Sequence, residues 1–301
     1  MTRTDDGAPV VVGYDGSKPS ERALRWAVQE ARHRWTSLIV CHAWHWPYPV
    51  RPSDPSALDT IRMVAQGILD QGVYQAARLA PSLPVHARLI AGPAAAALVS
   101  ESHGAGLLVL GTRGFGGFTD LRVGSAAVQV PAHAACPVIV VGRPDPSRRP
   151  TPGLVVVGVD GSPAAEAAVG FAAEEAVLRD GSLHAVCSWW DTGGYDAAPP
   201  PNTPPGTPFP DAERLKRRAA AHFQETVALW SEKFPDLRIE ASFMERSPRQ
   251  ALREAAAHAE LLVVGDRGIG ASNGPPLGPV TQAMLHHSPC PVAVVHGGRA
   301  H

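Results

Sequence analysis

Residues 10–31 read VVVGYDGSKPSERALRWAVQEA, and residues 155–176 read VVVGVDGSPAAEAAVGFAAEEA. Each stretch opens on a β-branched run, turns on Asp-Gly-Ser and continues with apolar residues at helical spacing, such as Ala23, Leu24, Ala27, Val28 and Ala31. Ser17 or a neighbour is expected to cap the helix, Pro19 suits its first turn, and Glu21 lies near the positive end of its dipole. The copies stand 145 residues apart. A second matched pair, HAACPVIVVG (133–142) and HSPCPVAVVH (287–296), stands 154 apart, so the second copy carries about nine more residues. The Pro-rich loop 191–210 is their natural place, and GRPDPSRRPTPG (142–153) reads as a linker. One domain has been duplicated, with units over 1–144 and 153–301.

Strands and helices alternate within each unit. Strands are expected at 10–13, 37–41, 85–90, 107–110 and 138–141, with helices over 58–80, over 93–103 and from about 125. Continuous apolar strands separated by helices imply a parallel sheet covered on both faces. The predicted class is therefore α/β: two tandem Rossmann-like open parallel-sheet domains of about five strands each, packed as a pseudo-dimer. Such sheets bind ligands beyond the carboxyl ends of their strands, where the strand order reverses.

Composition narrows the partners. The 301 residues are 45% hydrophobic and 18% charged with a net charge of -1, which argues against nucleic acid or an anionic membrane as partner. No apolar run approaches the roughly 20 residues of a membrane span. The start, MTRTDDGAP, lacks the features of a secretory signal, and four cysteines do not make a disulfide framework. A cytoplasmic location is expected.

Residues 111–125, GTRGFGGFTDLRVGS, hold five glycines directly after the run 107–110. Their spacing is Gly111-x2-Gly114-x9-Gly124-Ser125. Glycines let backbone N–H groups approach an anion, and the N-terminus of the next helix favours negative charge. The Ser125 hydroxyl suits a phosphate oxygen or a magnesium ion. Neither a Walker A sequence nor a dinucleotide fingerprint is present, and a plain glycine-rich turn is the alternative. Arg113 and Arg122 lie in this loop, with Arg267 matching Arg113 in the second unit.

Taken together, VVVGYDGS, HAACPVIVV and the G-x2-G-x9-G-S spacing resemble the universal stress proteins, as a tandem member of the ATP-binding type. The resemblance implies that Gly111, Gly114, Gly124 and Ser125 hold the phosphates of ATP, with Mg²⁺. It places Asp15, beside Gly13, at the ribose and adenine end, and the backbone around Ala43 at the adenine edge. It also implies a regulator or sensor in stress or growth arrest, acting on an unknown protein target and forming a homodimer. In the second unit Asp160, Gly265, Gly268 and Gly278 keep the frame, but Pro279 stands where Ser125 stands. Proline offers neither N–H nor hydroxyl, so one competent site in the first unit and a weak or empty one in the second are expected. Thr281 is a possible partial substitute.

Other residues have plainer readings. Asp15 and Asp160 also suit helix capping, and Cys41, Cys136, Cys187 and Cys290 read as small buried residues. His133-x2-Cys136 and His287-x2-Cys290 supply two ligands per unit, short of a closed zinc site. His42 and His45 are read as loop residues flanking Trp44, within an aromatic segment (43–49) that would cover a nucleotide, meet a partner or pack on its own domain. Pro131 suggests a helix kink. The chain is not read as an enzyme, since it shows no convincing base and no P-loop lysine. The alternatives are slow ATP hydrolysis or autophosphorylation, and a nucleotide-independent interaction module.

Overall fold

The Asp-Gly-Ser turn sets the geometry of each half. Gly16 and Gly161 adopt φ of 80° and 82°, a left-handed conformation that glycine reaches without strain. The chain thereby passes from β1 (Val10–Gly13) into α1 (Lys18–His33), and from β6 (Leu154–Gly158) into α5 (Pro163–Leu178). Ser17 caps α1 by accepting the Ser20 N–H, and Ser162 caps α5 by accepting the Ala165 N–H.

The computed structural model describes residues 7–46, 55–114, 123–143, 147–190, 212–269 and 274–297. The Pro-rich loop 191–210, Arg122, residues 47–49 and linker residues 144–146 lie outside the described residues. The first half continues with β2 (Leu38–Trp44), α2 (Pro55–Leu79), β3 (Val85–Ala91), α3 (Ala94–Glu101), β4 (Leu107–Gly111), α4 (Ala126–His133) and β5 (Val138–Val141). The second continues with β7 (Ser182–Ser188), α6 (Ala212–Lys233), β8 (Arg238–Met244), α7 (Pro248–Ala255), β9 (Leu261–Gly265), α8 (Pro279–His287) and β10 (Val292–Val295). Pro131 lies buried within the last turn of α4.

Each half is a five-stranded parallel sheet, and the two join edge to edge in the order β3-β2-β1-β4-β5-β10-β9-β6-β7-β8. The seam is antiparallel, pairing Val138 with Val294, Ile139 with Ala293 and Val140 with Val292. The pseudo-dimer is thus one continuous sheet of ten strands. Side chains alternate across it: Val10 and Val12 pack under α1 and α2, whereas Val11 packs with α3 and α4.

A buried charge cluster locks the halves together on one face. Glu30 of α1 and Arg34 just past its end meet their repeat-matched counterparts, Glu175 of α5 and Arg179 just past its end. Arg34 pairs with Glu175, while Arg179 pairs with both Glu30 and Glu175. Glu260 stands 3.5 Å from Arg179 Nε, and the guanidiniums of Arg34 and Arg179 lie over the rings of Phe171 and Trp26. Burial, reinforced by Glu175, pushes the Glu30 carboxyl up to about 7. Burial disfavours the Arg179 cation, but Glu30, Glu175 and Glu260 outweigh that penalty and hold it charged.

Candidate functional site

In the first half a cavity of about 110 Å³ opens beyond the carboxyl ends of β1, β2 and β4. Here β1 sends one crossover to β2 on one side, and β4 lies on the other, so the cavity occupies the switch point of the sheet. Gly13, Asp15, Ala43, Gly111 and Gly114 line it, as do Tyr14, His42 and Arg113. Gly124 and Ser125 stand at the start of α4, outside its described lining.

The glycines do different work. A Cβ on Gly111 would come within 2.6 Å of the Pro19 carbonyl carbon, so this glycine admits the first turn of α1 against β4. A Cβ on Gly114 would overlap Asp15 Oδ2, so this glycine makes room for the carboxylate. Gly124 is different: its Cβ would meet no described atom nearer than 3.6 Å, and its N–H donates to the Thr112 carbonyl at 2.7 Å. That bond closes the base of the loop. Asp15 Oδ1 accepts the Ser17 N–H at 3.0 Å, which performs the capping turn and aims Oδ2 toward Gly114. Ser125 is exposed and forms no side-chain capping bond.

The second half repeats the frame around a larger cavity of about 260 Å³, lined by Asp160, Gly265, Gly268, Gly278, Pro279 and Thr281 among others. Asp160 Oδ1 accepts the Ser162 N–H at 3.0 Å, and Oδ2 accepts the Ile269 N–H at 3.1 Å. Gly278 donates to the Asp266 carbonyl at 2.8 Å, as Gly124 does to Thr112. Pro279 is the first residue of α8. Thr281, the possible substitute for Ser125, is buried and donates its hydroxyl to the Gly265 carbonyl at 2.7 Å, so that proton is committed.

The loop reading of His42 is corrected. Strand β2 runs on to Trp44 because β3 pairs along its whole length, so His42 is a strand residue, only 8% exposed, with Nδ1 2.8 Å from the Tyr14 carbonyl. His45 is exposed just past the strand. Cys41, Cys136 and Cys290 are buried as expected, whereas Cys187 is only half-buried; burial raises the thiols of Cys41 and Cys136 to about 12 and those of Cys187 and Cys290 to about 11. No helix among the described residues is long and apolar enough to cross a membrane.

The comparisons agree with this architecture. The profile of the Universal stress protein family matches residues 8–142 and again 154–296. Universal stress protein Rv2005c of Mycobacterium tuberculosis is 31% identical over 297 residues, covering 95% of this chain and 96% of the relative. Universal stress protein Rv2623 of the same organism is 29% identical over 305 residues, covering 98% of each. Among solved structures, a universal stress protein from Archaeoglobus fulgidus superposes with a TM-score of 0.69 at 17% identity, covering 97% of both chains, a likeness of fold. Two profile matches, a duplicated fold and near-full-length relatives lead to one statement: the chain belongs to the universal stress protein family, with two copies of its domain in tandem.

Proposed function

We propose that this chain is an ATP-binding regulator of stress or growth arrest, holding Mg²⁺-ATP mainly in its first half. The observation that carries the reading is Gly124–Ser125. Among the described residues nothing requires a glycine at 124, and the Ser125 hydroxyl is exposed and uncommitted. An open backbone and a free hydroxyl at a helix start suit phosphate. Mg²⁺ would be held by the phosphates and the Ser125 hydroxyl, consistent with its preference for oxygen and retained water, and would neutralise phosphate charge.

The second cavity is larger, so volume does not make it the weaker site. Donors do. Pro279 has no N–H or hydroxyl, the Thr281 proton goes to Gly265, and the Gly278 N–H goes to Asp266. The first half shares only the last of these commitments, at Gly124. Phosphate contact with the loop between β4 and α4 would alter the surface offered to a protein target, which makes the chain a nucleotide-dependent binder. A homodimer of whole chains would have to use a surface other than the β5 and β10 edges, which pair with each other inside the chain.

Calorimetric titration of the nucleotide-stripped chain with Mg²⁺-ATP tests this directly. The expected result is one ATP per chain, abolished by Gly124→Asp. Two equal sites, or no binding at millimolar ATP, would overturn it. Sustained release of ADP during the titration would replace the binder by a slow hydrolase.

A further inference from the structure

The buried charge cluster between the halves treats its repeat-matched carboxylates unequally. Glu175 gives each oxygen an arginine: Oε1 accepts from Arg34 Nη2, and Oε2 accepts from Arg179 Nη1. Glu30 has half of this. Its Oε1 accepts from Arg179 Nη2, whereas Oε2 is shielded from solvent, has no hydrogen-bond partner among the described residues and lies 3.7 Å from Arg34 Nε. Glu260 supplies the third carboxylate, 3.5 Å from Arg179 Nε. It differs from the other two in accepting the Gly153 N–H at 2.8 Å and in keeping contact with solvent.

Three carboxylates thus meet two guanidiniums, and among the described residues no further charged side chain pairs with these five. Facing Glu30 are Arg34 and His33 from α1 and its end, and Glu175 and Arg179 from α5 and its end. The sheet beneath presents apolar residues such as Ile139 and Ala293. A buried ion-pair network serves structure alone when every charge in it is answered. Here one carboxylate is in surplus, and Glu30 and Glu175 share a single buried cation at 1% and 0% exposure. Two carboxylates in one site do not both ionise freely. The oxygen left without a donor marks Glu30 as the one that yields.

We propose that this cluster is a proton-binding site joining the two halves. The proton comes from solvent, occupies Glu30 Oε2 and balances the cluster; its return to solvent leaves one buried negative charge unanswered at the joint. The halves are held more firmly in acid than in alkali. Burial and Glu175 bring the Glu30 carboxyl up to about 7 from an ordinary 4.5. Its contribution to stability is therefore complete below about 4.5 and lost as pH rises to about 7. His33 acts in the opposite sense. Burial, then Arg179, holds its imidazole below the usual 6.5 against the pull of Glu260 and Glu175, so it withdraws stability as pH falls through that value. The site uses none of the residues of the nucleotide reading and stands apart from it.

Urea unfolding of the full-length chain and its Glu30→Gln variant, from about pH 5 to about pH 8, tests the proposal. Gln keeps the shape without the titration, and both chains retain His33, so the ratio of their folding constants isolates Glu30. That ratio, variant over parent, is expected to rise about tenfold per pH unit between about 5 and 7 and then level off. A ratio that is flat or falls with rising pH overturns the proposal. Should the variant not fold, the parent chain decides by infrared difference spectroscopy between about pH 6.5 and about pH 8, where ordinary carboxyls are almost wholly ionised. Loss of the carbonyl band of one protonated carboxyl is expected, and absence of that band overturns the proposal equally.

Discussion

Helix α4 begins beside an exposed serine whose hydroxyl no described residue uses, whereas α8 begins at a proline and keeps its nearby Thr281 hydroxyl bonded inward. Around those starts the halves are alike: Asp15 and Asp160 take the same capping N–H, and Gly114 and Gly268 make the same room for a carboxylate. Duplication has preserved what the fold needs twice. What differs is the set of groups that a fold does not need, and such differences are where function separates the copies.

The interface between the halves provides the largest expected effect, because its symmetry is also imperfect. Arg179 is 3% exposed and pairs with Glu30 and Glu175, while Arg34 is 21% exposed and pairs chiefly with Glu175. Arg179→Ala leaves two buried carboxylates facing each other and is expected to cost about 3–5 kcal/mol. Arg34→Ala, partly answered by solvent, is expected to cost about 1–3 kcal/mol. Urea unfolding of both variants checks the order. Equal losses would mean that the two arginines are equivalent and that burial does not distinguish the halves here.

The contrast at the helix starts can be attacked by exchange. Pro279→Ser restores a hydroxyl and an N–H at α8, and is expected to strengthen ATP binding in the second half by about 1.5–3 kcal/mol, roughly ten- to a hundredfold. Calorimetric stoichiometry should then approach two per chain. Ser125→Pro should silence the first half in the same measurement. If neither exchange alters stoichiometry, the donors at these positions do not decide which half binds.

These residues also show what the sequence discloses and where disclosure stops. The β-branched run, the Asp-Gly-Ser turn and the helical stripe are local signals, and their repetition 145 residues later exposes the duplication without any structure. Burial of His42 is not local. It follows from β2 pairing with β3 from Leu38–Val85 through Trp44–Ala91, a register no single segment reveals. The charge cluster had a faint signal in the i, i+4 pairs Glu30–Arg34 and Glu175–Arg179, yet exposed helix faces carry such pairs routinely. Only the joining of two sheets at β5 and β10 buries them. The glycines were legible as a group but not as individuals, because the Pro19 backbone and the Asp15 carboxylate that require Gly111 and Gly114 come from another strand-to-helix turn.

That division among glycines yields the smallest expected effect, and it is informative because it is small. Gly111→Ala drives a methyl into the Pro19 backbone and is expected to cost about 1–3 kcal/mol through overpacking. Gly124→Ala places the same methyl 3.6 Å from its nearest described neighbours, so unfolding should shift by no more than about 0.5 kcal/mol. The two substitutions are chemically identical and separated by one loop. If Gly124→Ala leaves stability intact while weakening ATP, the space above Gly124 belongs to the ligand. If it leaves both intact, the glycine at 124 answers to neither fold nor phosphate, and the nucleotide reading of the first half rests on Ser125 alone.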